Sequence, residues 1–137
     1  MDTMTKQERS ALMRRIRGDA LGPESRFAAA LSRAGEDPFR NVVDMPGRPD
    51  FVLEREDVCL AVFVHGCFWH CCPRHWRMPK TRVKFWAAKF AANTARDRRV
   101  RRMLRDRFCR TAVVWEHDLK SDAAADRVAA RLLRKIE

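Results

Sequence analysis

The sequence predicts a single α/β domain in which helices flank a central mixed sheet. Segments with the apolar spacing typical of helices alternate with short apolar runs rich in Val and Phe. The elements follow in the order helix, strands, helix, strand, helix, which is typical of a layered α/β domain. The chain has 137 residues, a length that suits one domain with a substantial core.

Two helices are predicted in the first part of the chain. Residues 5–18, TKQERSALMRRIRG, form an amphipathic segment whose apolar residues share one side. Residues 23–35, PESRFAAALSRAG, form the second. Pro23 suits a first helical position, Phe27 and Leu31 are four residues apart, and Gly35 is a stop signal.

Four strands and two further helices follow. Strands are predicted around FRNVV, DFVLE and VCLAVFV, and residues 55–57 would turn the second strand into the third as a hairpin. A long helix is expected from about Arg82 to Arg107. TAVVWE is the fourth strand, and DAAADRVAARLLRKI closes the chain as a helix.

The charge of the chain is concentrated in one stretch. The net charge is +11, and the stretch from Pro73 to Arg110 holds 14 Lys and Arg residues against two carboxylates. Aromatic residues are interleaved with these charges, as phosphate contacts combined with base stacking require. A solvated, salt-bridged helix face is the alternative, but the stretch has few acidic partners for it. We therefore expect a nucleic-acid partner.

The composition also predicts a compartment. The longest apolar run, Val58 to Val64, is too short to span a bilayer, and MDTMTKQERS has no apolar core of a secretory signal. We therefore expect a cytosolic protein, in which five cysteines are poor evidence for disulfides. Cys59 and Cys109 lie in or beside apolar segments and are expected to be inert core residues.

Metal-capable side chains are concentrated in HGCFWHCCPRHWRMP, residues 65–79. Cys67, Cys72 and His75 offer three soft or borderline ligands, and His117 follows the last strand, so that two Cys and two His could close a tetrahedral zinc site. Two small buried cysteines and a surface histidine are the alternative. Cys71, beside Cys72, leaves the choice of ligand open.

Asp50 is the first candidate for catalysis. It precedes an apolar strand, and the hairpin could bring its carboxylate close to the backbone of Val64 and His65. One carboxylate and a main-chain carbonyl, with water and phosphate oxygens, are a normal ligand set for Mg²⁺. A simple turn residue is the alternative reading of Asp50.

A second carboxylate lies on the long helix. Its apolar stripe, by i, i+4, i+7 spacing, consists of Trp86, Phe90, Asn93, Asp97, Val100 and Leu104. Asp97 thus falls on the inward face, where an unpaired carboxylate is costly. Its neighbours Arg96 and Arg98 point away around the helix, so a histidine from elsewhere is the favoured partner, in a pair that suits a general base.

Phe68 and Trp69 stand between the presumed zinc ligand Cys67 and His70. They could be core residues. They could also be wedges, because apolar side chains inserted between base steps unstack and kink a duplex, and Trp86 could join them.

In order and spacing, the blocks PGRPDFV, VFVHGCFWH, PKTRVKFW, NTARDRR and VVWEHDL resemble the very-short-patch repair (Vsr) endonucleases, a bacterial family. The resemblance runs from RSALMRRIRG to about Leu119, nearly the whole chain. It implies a restriction-endonuclease-like fold and a Mg²⁺-dependent nick 5′ to the thymine of a T:G mismatch. Such mismatches arise when 5-methylcytosine deaminates within a methyltransferase's recognition site.

The resemblance also implies roles for individual residues. Asp50 and the Val64 carbonyl would hold Mg²⁺, and Asp97 would support His70. The implied catalytic residues are Glu24, Asp50, His65, His70 and Asp97. The implied intercalating aromatics are Phe68, Trp69 and Trp86, and the implied structural zinc ligands are Cys67, Cys72, His75 and His117. The best-known members are His-rich after HGCFWH and carry Cys after WE, whereas CCPRH and His117 keep the ligand chemistry here in a different order.

The resulting expectation is a monomeric mismatch endonuclease of residues 1–137. It comprises an N-terminal DNA-contacting helix (1–20), a nuclease core with a zinc loop (21–120) and a C-terminal helix (121–137). Its expected partners are double-stranded DNA with a T:G mismatch and, as further candidates, mismatch-repair proteins, in the bacterial cytoplasm at the nucleoid and not at a membrane. The alternatives are a zinc-stapled DNA-binding module without catalysis and a related nuclease with a different DNA target.

Overall fold

The computed structural model describes residues 22–137, and the predicted N-terminal helix of residues 1–20 lies outside this range. The described part contains three α-helices and four strands. In chain order these are α1 (Pro23–Arg33), β1 (Phe39–Arg40), β2 (Phe51–Arg55), β3 (Val58–His65), α2 (Val83–Asp106), β4 (Cys109–Trp115), a 3-10 turn (Glu116–Asp118) and α3 (Asp122–Arg134).

The four strands form one mixed sheet in the order β1-β2-β3-β4. β1 and β2 pair antiparallel, β2 and β3 form the predicted antiparallel hairpin, and β3 pairs with β4 in parallel. The long helix α2 connects these two parallel strands, as a parallel connection requires. The prediction of a mixed sheet flanked by helices is confirmed.

Alternation along β3 assigns its side chains to two faces of the sheet. Leu60 and Val62 lie in the larger core with α1 and α3. Ala61 and Phe63 lie on the opposite face, against α2. His65 continues the second series, so the strand carries it to the α2 side at its carboxyl end.

The two cores differ in size. The α1 and α3 side buries fifteen residues, among them Phe27, Phe51 and Leu119. The apolar cluster on the α2 side contains three buried residues, Ala61, Leu104 and Cys109, with partly buried residues packed around them. The first face therefore carries most of the apolar burial, and the second has room for polar side chains.

Local sequence signals define the helix ends. Pro23 stands at the start of α1, and Gly35 follows its end with φ 85°. The hydroxyl of Ser121 accepts a hydrogen bond from the Ala124 N–H at 3.1 Å and caps α3. None of the described helices is long and apolar enough to cross a membrane.

Two expectations are corrected. The strand around FRNVV contains only Phe39 and Arg40, because Asn41 adopts a left-handed backbone conformation with φ 50° and ends the regular pairing. Cys59 and Cys109 are not inert core thiols but are joined as a disulfide. They are direct partners in the parallel register, with Cα atoms 4.8 Å apart, a proximity that fifty residues of sequence separation conceal.

Gly47 generates a prediction about stability. Its φ is 76°, and a Cβ atom there would collide with the Val100 side chain of α2. We expect Gly47→Ala to lower the free energy of unfolding by about 2–4 kcal/mol, from backbone strain and overpacking together. Thermal or urea unfolding would measure it.

Gly35→Ala is the matched control for this prediction. Its φ is 85°, yet no atom lies within 4 Å of the added Cβ, so only the backbone contributes, at about 1 kcal/mol. Equal losses in the two variants would show that the packing of Gly47 on α2 does not matter.

Candidate active site and zinc site

A cavity of about 560 Å³ lies between the sheet and α2, at the carboxyl end of β3. The polar residues that border it come from separate parts of the chain, and it is closed below by Phe63, Val113 and Val100. The charged and polar residues that line it are Arg48, Asp50, His65, His70, Thr94, Arg96, Asp97 and Arg101.

Asp50 enters this cavity from the start of β2. Its Oδ2 atom accepts a hydrogen bond from the Val64 N–H at 2.7 Å, so the carboxylate lies against the β3 backbone, as the hairpin predicted. Burial raises the pKa of the Asp50 carboxyl above its usual range, although the bond from Val64 opposes this, and the nearby charge of Glu24 raises it further. A cation would relieve both effects.

Glu24 belongs to the first turn of α1 and reaches the same neighbourhood. Arg40 donates a hydrogen bond to Glu24 Oε1 at 3.4 Å. Glu24 does not line the cavity itself. Its charge is close enough to raise the pKa of the Asp50 carboxyl, so Glu24 lies at the edge of the site without lining the cavity.

His70 and Asp97 form the closest side-chain contact of the site. His70 Nδ1 lies 2.7 Å from Asp97 Oδ2, and both side chains are about four-fifths buried. Asp97 thus has the histidine partner that its inward position on α2 requires. The carboxylate orients the ring and leaves Nε2 as the nitrogen that can accept a proton.

His65 stacks on His70, with ring centroids 3.7 Å apart and an interplanar angle of 9°. Burial lowers the pKa of His65 to about 4, and the charges of His70, Arg101 and Arg96 add to this effect, while Asp97 opposes it. Two stacked imidazoles do not both hold a proton at low cost. His65 is therefore neutral near pH 7.

Cys67, Cys72 and His117 form a second cluster of metal-capable side chains. Cys67 and Cys72 lie with His70 in the loop that connects β3 to α2, and His117 follows β4. Their ligand atoms all lie within 4.8 Å of one another. His117 Nδ1 is 3.3 Å from Cys67 Sγ and 3.5 Å from Cys72 Sγ, and its Nε2 lies 3.4 Å from Asp118 Oδ1. A histidine with one nitrogen toward soft ligands and the other toward a carboxylate suits a metal.

His75 and Cys71 differ in their relation to this cluster. The His75 ring lies beside that of His117, with centroids 4.5 Å apart, but its nitrogens are not within the close set. Cys71 lies outside the set as well. Burial raises the pKa of the Cys67 thiol to about 11, and Cys72 and the charge of Glu116 raise it further, while a hydrogen bond with the His117 backbone opposes them.

Aromatic residues form a partly exposed group next to the cavity. The Phe68 ring makes edge contacts with Trp69, Trp86 and Phe90, at 5.1, 5.3 and 5.1 Å between centroids. Phe90 is buried, whereas Phe68 and Trp69 are 37% and 48% exposed. Phe68 and Trp69 are therefore supported from below and open to solvent above, which a core residue would not be.

A family model described as DNA mismatch endonuclease Vsr matches residues 1–78, more than half of the chain. The chain belongs to the Vsr family. It is 38% identical to the DNA mismatch endonuclease Vsr of Escherichia coli K12 over 122 residues, which cover 87% of this chain and 76% of that protein.

Two relatives carry a different description. The type II nicking enzyme V.XorIIP of Xanthomonas oryzae pv. oryzae is 37% identical over 127 residues, with 90% of each chain covered. The type II nicking enzyme V.NmeAIP of Neisseria meningitidis is 33% identical over 138 residues, covering 99% of this chain and 96% of its own.

In this Vsr family member, the structure brings together most of the residues that the sequence singled out. Asp50, His65, His70 and Asp97 border one cavity, and three of the four expected zinc ligands share one cluster. Glu24 does not line the cavity, and His75 lies beside His117 but outside the close set of ligand atoms.

Two residues that hold the loop were missed. Glu116 Oε1 accepts a hydrogen bond from the Cys67 N–H at 2.8 Å, and Asn93 Nδ2 donates one to the Trp69 carbonyl at 3.0 Å. The position of Asn93 on the inward stripe was a signal for the second contact, because a polar side chain there needs a partner. Nothing in the sequence pointed to Glu116 in this role.

Proposed function

We propose that this Vsr family member is a Mg²⁺-dependent DNA endonuclease that nicks duplex DNA 5′ to the thymine of a T:G mismatch, on a restriction-endonuclease-like fold. The observation that carries the proposal is the convergence of the Asp50 carboxylate and the His70–Asp97 pair in one cavity. A binding module has no use for a desolvated carboxylate beside an oriented histidine.

The residues suit the ion. Asp50 is desolvated, has a second carboxylate nearby and, among residues 22–137, forms no ion pair. Oxygen ligands of this kind, completed by water and phosphate oxygens, are those that Mg²⁺ prefers, and the Val64 carbonyl is the further ligand that we propose. When bound, the ion supplies positive charge at the phosphodiester and makes water more acidic.

The histidines would handle the proton and the phosphate. His70, oriented by Asp97, accepts a proton from the attacking water through its free nitrogen. His65 is neutral near pH 7, so it donates an N–H to a phosphate oxygen instead of a full charge. Attack in line with the leaving 3′ oxygen forms the new bond from water oxygen to phosphorus and breaks the bond between phosphorus and the 3′ oxygen, which takes up a proton from solvent water. The products are a 5′-phosphate and a 3′-hydroxyl.

We propose that Cys67, Cys72 and His117 hold a structural zinc ion, with His75 as the fourth ligand after a rotation of its ring toward the cluster. Soft sulfur donors and an imidazole in this number suit Zn²⁺ rather than Mg²⁺. The ion would fasten a loop without helix or strand to the end of β4.

We propose that Phe68, Trp69 and Trp86 act as wedges that recognise the mismatch. T:G and T:A pairs carry the same backbone charge, so the basic residues cannot tell them apart. A mismatched step is easier to unstack than a matched one, so an inserted aromatic ring gains more there.

The proposed activity is tested by nicking of end-labelled duplexes that differ only in one pair, T:G or T:A, with Mg²⁺ or EDTA. We expect a single nick 5′ to the thymine, on T:G and with Mg²⁺ only. Cleavage of another structure in the panel would favour a related nuclease. Binding without cleavage on every duplex would favour the zinc-stapled module.

Asp50→Asn is the variant that tests the metal-binding carboxylate. The amide oxygen can still accept the hydrogen bond from Val64, but the charge is lost. We expect the single-turnover nicking rate to fall by about a thousandfold, about 4 kcal/mol in the barrier, while DNA binding persists. Asp44→Asn, on an exposed part of the loop before β2, is the matched control and should nick like the parent. Similar rates for both variants would refute the role of Asp50.

Cys72→Ser tests the zinc proposal. The purified parent should contain one zinc per chain, and Cys72→Ser should lose most of it and melt at a lower temperature, because metal binding contributes to folding. Cys71→Ser, one residue away and outside the cluster, should keep both zinc and stability. Folded, active parent without zinc by elemental analysis contradicts the proposal.

Trp69→Ala tests the wedge. We expect a folded, zinc-containing protein whose preference for T:G over matched duplex collapses while its salt-sensitive binding to any duplex remains. Phe39→Ala removes an aromatic ring that is 61% exposed on the edge strand β1 and does not line the cavity, and should keep the preference. Unfolding of Trp69→Ala, or an undiminished preference, would show that Trp69 is not a wedge.

A further inference from the structure

A second groove, of about 710 Å³, lies beyond the active-site cavity along α2, where β4 begins. Five arginines line it, and Asp57 of the β2–β3 turn is its one lining carboxylate. The five are Arg98, Arg101, Arg102 and Arg105 of α2 and Arg110 of β4. The chemistry proposed for the active site uses none of them.

The charges of this arginine groove are available to a ligand. All five side chains are exposed. Within residues 22–137 none of them forms an ion pair, and the one recorded hydrogen bond runs from Arg110 Nη1 to the Lys135 carbonyl at 3.1 Å. Five unneutralised guanidinium groups at one groove repel one another, so an anion in the groove would be stabilised.

The spacing of the arginines fits a row of anions better than a single one. Positions 98, 101, 102 and 105 follow helical spacing and lie on one stripe of α2. Positions 98 and 105 are seven residues apart, a rise of about 10 Å. Phosphates of one DNA strand follow one another at about 3.4 Å along the duplex axis, so the stripe corresponds to about three phosphates.

The groove is continuous with the active site, because Arg101 lines both. The cavity lies at the level of His65 and Trp115, and the groove at the level of Cys59 and Cys109, six residues earlier on the same two parallel strands. Six strand residues span about 20 Å. A polyanion held in the cavity by its scissile phosphate can therefore extend into the groove without a break.

We propose that the arginine groove binds backbone phosphates of the same DNA duplex, on one side of the nick and up to about six base pairs from it. The inference rests on the proposed function, since it takes DNA as the occupant of the cavity. Arginine suits this ligand because its planar fork pairs with phosphate oxygens at two points. Such contacts supply affinity and position, and carry no information on the mismatch.

Arg102→Gln/Arg105→Gln tests the groove without touching the cavity, which neither residue lines. Glutamine keeps a good helix former at both exposed positions. Loss of two phosphate contacts should reduce the slope of log binding constant against log salt by about 1.8, and weaken binding at physiological salt by about thirtyfold. Binding is measured on matched duplex in EDTA, so the result does not depend on cleavage or on the mismatch.

Arg127→Gln/Arg134→Gln is the matched control, with the same change in net charge. Both arginines are exposed on α3, which covers the opposite face of the sheet. This variant should keep the parental salt slope. Equal losses in the two double variants would mean that net charge alone acts, and the groove would have no role.

Duplex length provides a second readout. The two arms around a central T:G pair are shortened one at a time to less than about six base pairs, the reach of the groove. The parent should lose affinity when one particular arm is shortened, and Arg102→Gln/Arg105→Gln should lose that sensitivity, because the deleted phosphates and deleted arginines are partners.

The outcomes are distinct. An unchanged salt slope in Arg102→Gln/Arg105→Gln overturns the groove proposal. The proposal is also overturned if this double variant loses binding to poly-glutamate but not to duplex, because the groove would then belong to an acidic protein partner. Failure of the parent to nick T:G duplex in the separate panel would overturn the proposed function, while the salt slope on matched DNA would still decide the groove.

Discussion

The hydrogen bond between Asp97 and His70 is the contact on which the site depends, because it fixes a loop that has no helix or strand of its own. One turn earlier on α2, Asn93 holds the carbonyl of Trp69. Two adjacent loop residues are thus attached to one face of one helix. Any shift of α2 would move Trp69 and His70 together, so in the proposed function the mismatch wedge and the general base share a single support.

The alternation of side chains in the sheet explains why the site lies where it does. One face of β3 packs into the larger core, and burial there leaves no place for polar groups without partners. The apolar cluster on the α2 face contains only three buried residues, and two of the polar side chains beside it have close partners. Asp50 has the Val64 amide, and His70 has Asp97. Stability and chemistry are therefore divided between the two faces.

Much of this arrangement could be predicted from local patterns. Helix spacing located α2 and its inward stripe, and the isolated carboxylate on that stripe indicated a histidine partner before any fold was known. The hairpin predicted the approach of Asp50 to the β3 backbone, because a short turn fixes the register of the two strands that it joins.

Contacts across large sequence separations were beyond these patterns. Cys59 and Cys109 become neighbours only through the parallel pairing of β3 with β4, whose register no turn specifies. Glu116 reaches the loop backbone at Cys67 through the same pairing. The arginine groove was visible in the sequence as charge, but not as a groove, because its walls come from α2, β4 and the turn before β3.

The loop itself connects the proposed general base to the proposed zinc site. Cys71 adopts a left-handed backbone conformation with φ 55°, which reverses the chain so that His70 points to α2 and Cys72 to His117. The two neighbours of one strained residue thus serve different sites. In the proposed function, zinc at Cys72 would stabilise the turn that presents His70 to Asp97. By linkage, whatever stabilises the Asp97–His70 contact would then also favour zinc, so the proposed ion would act on the proposed general base through the position of a histidine that it does not touch.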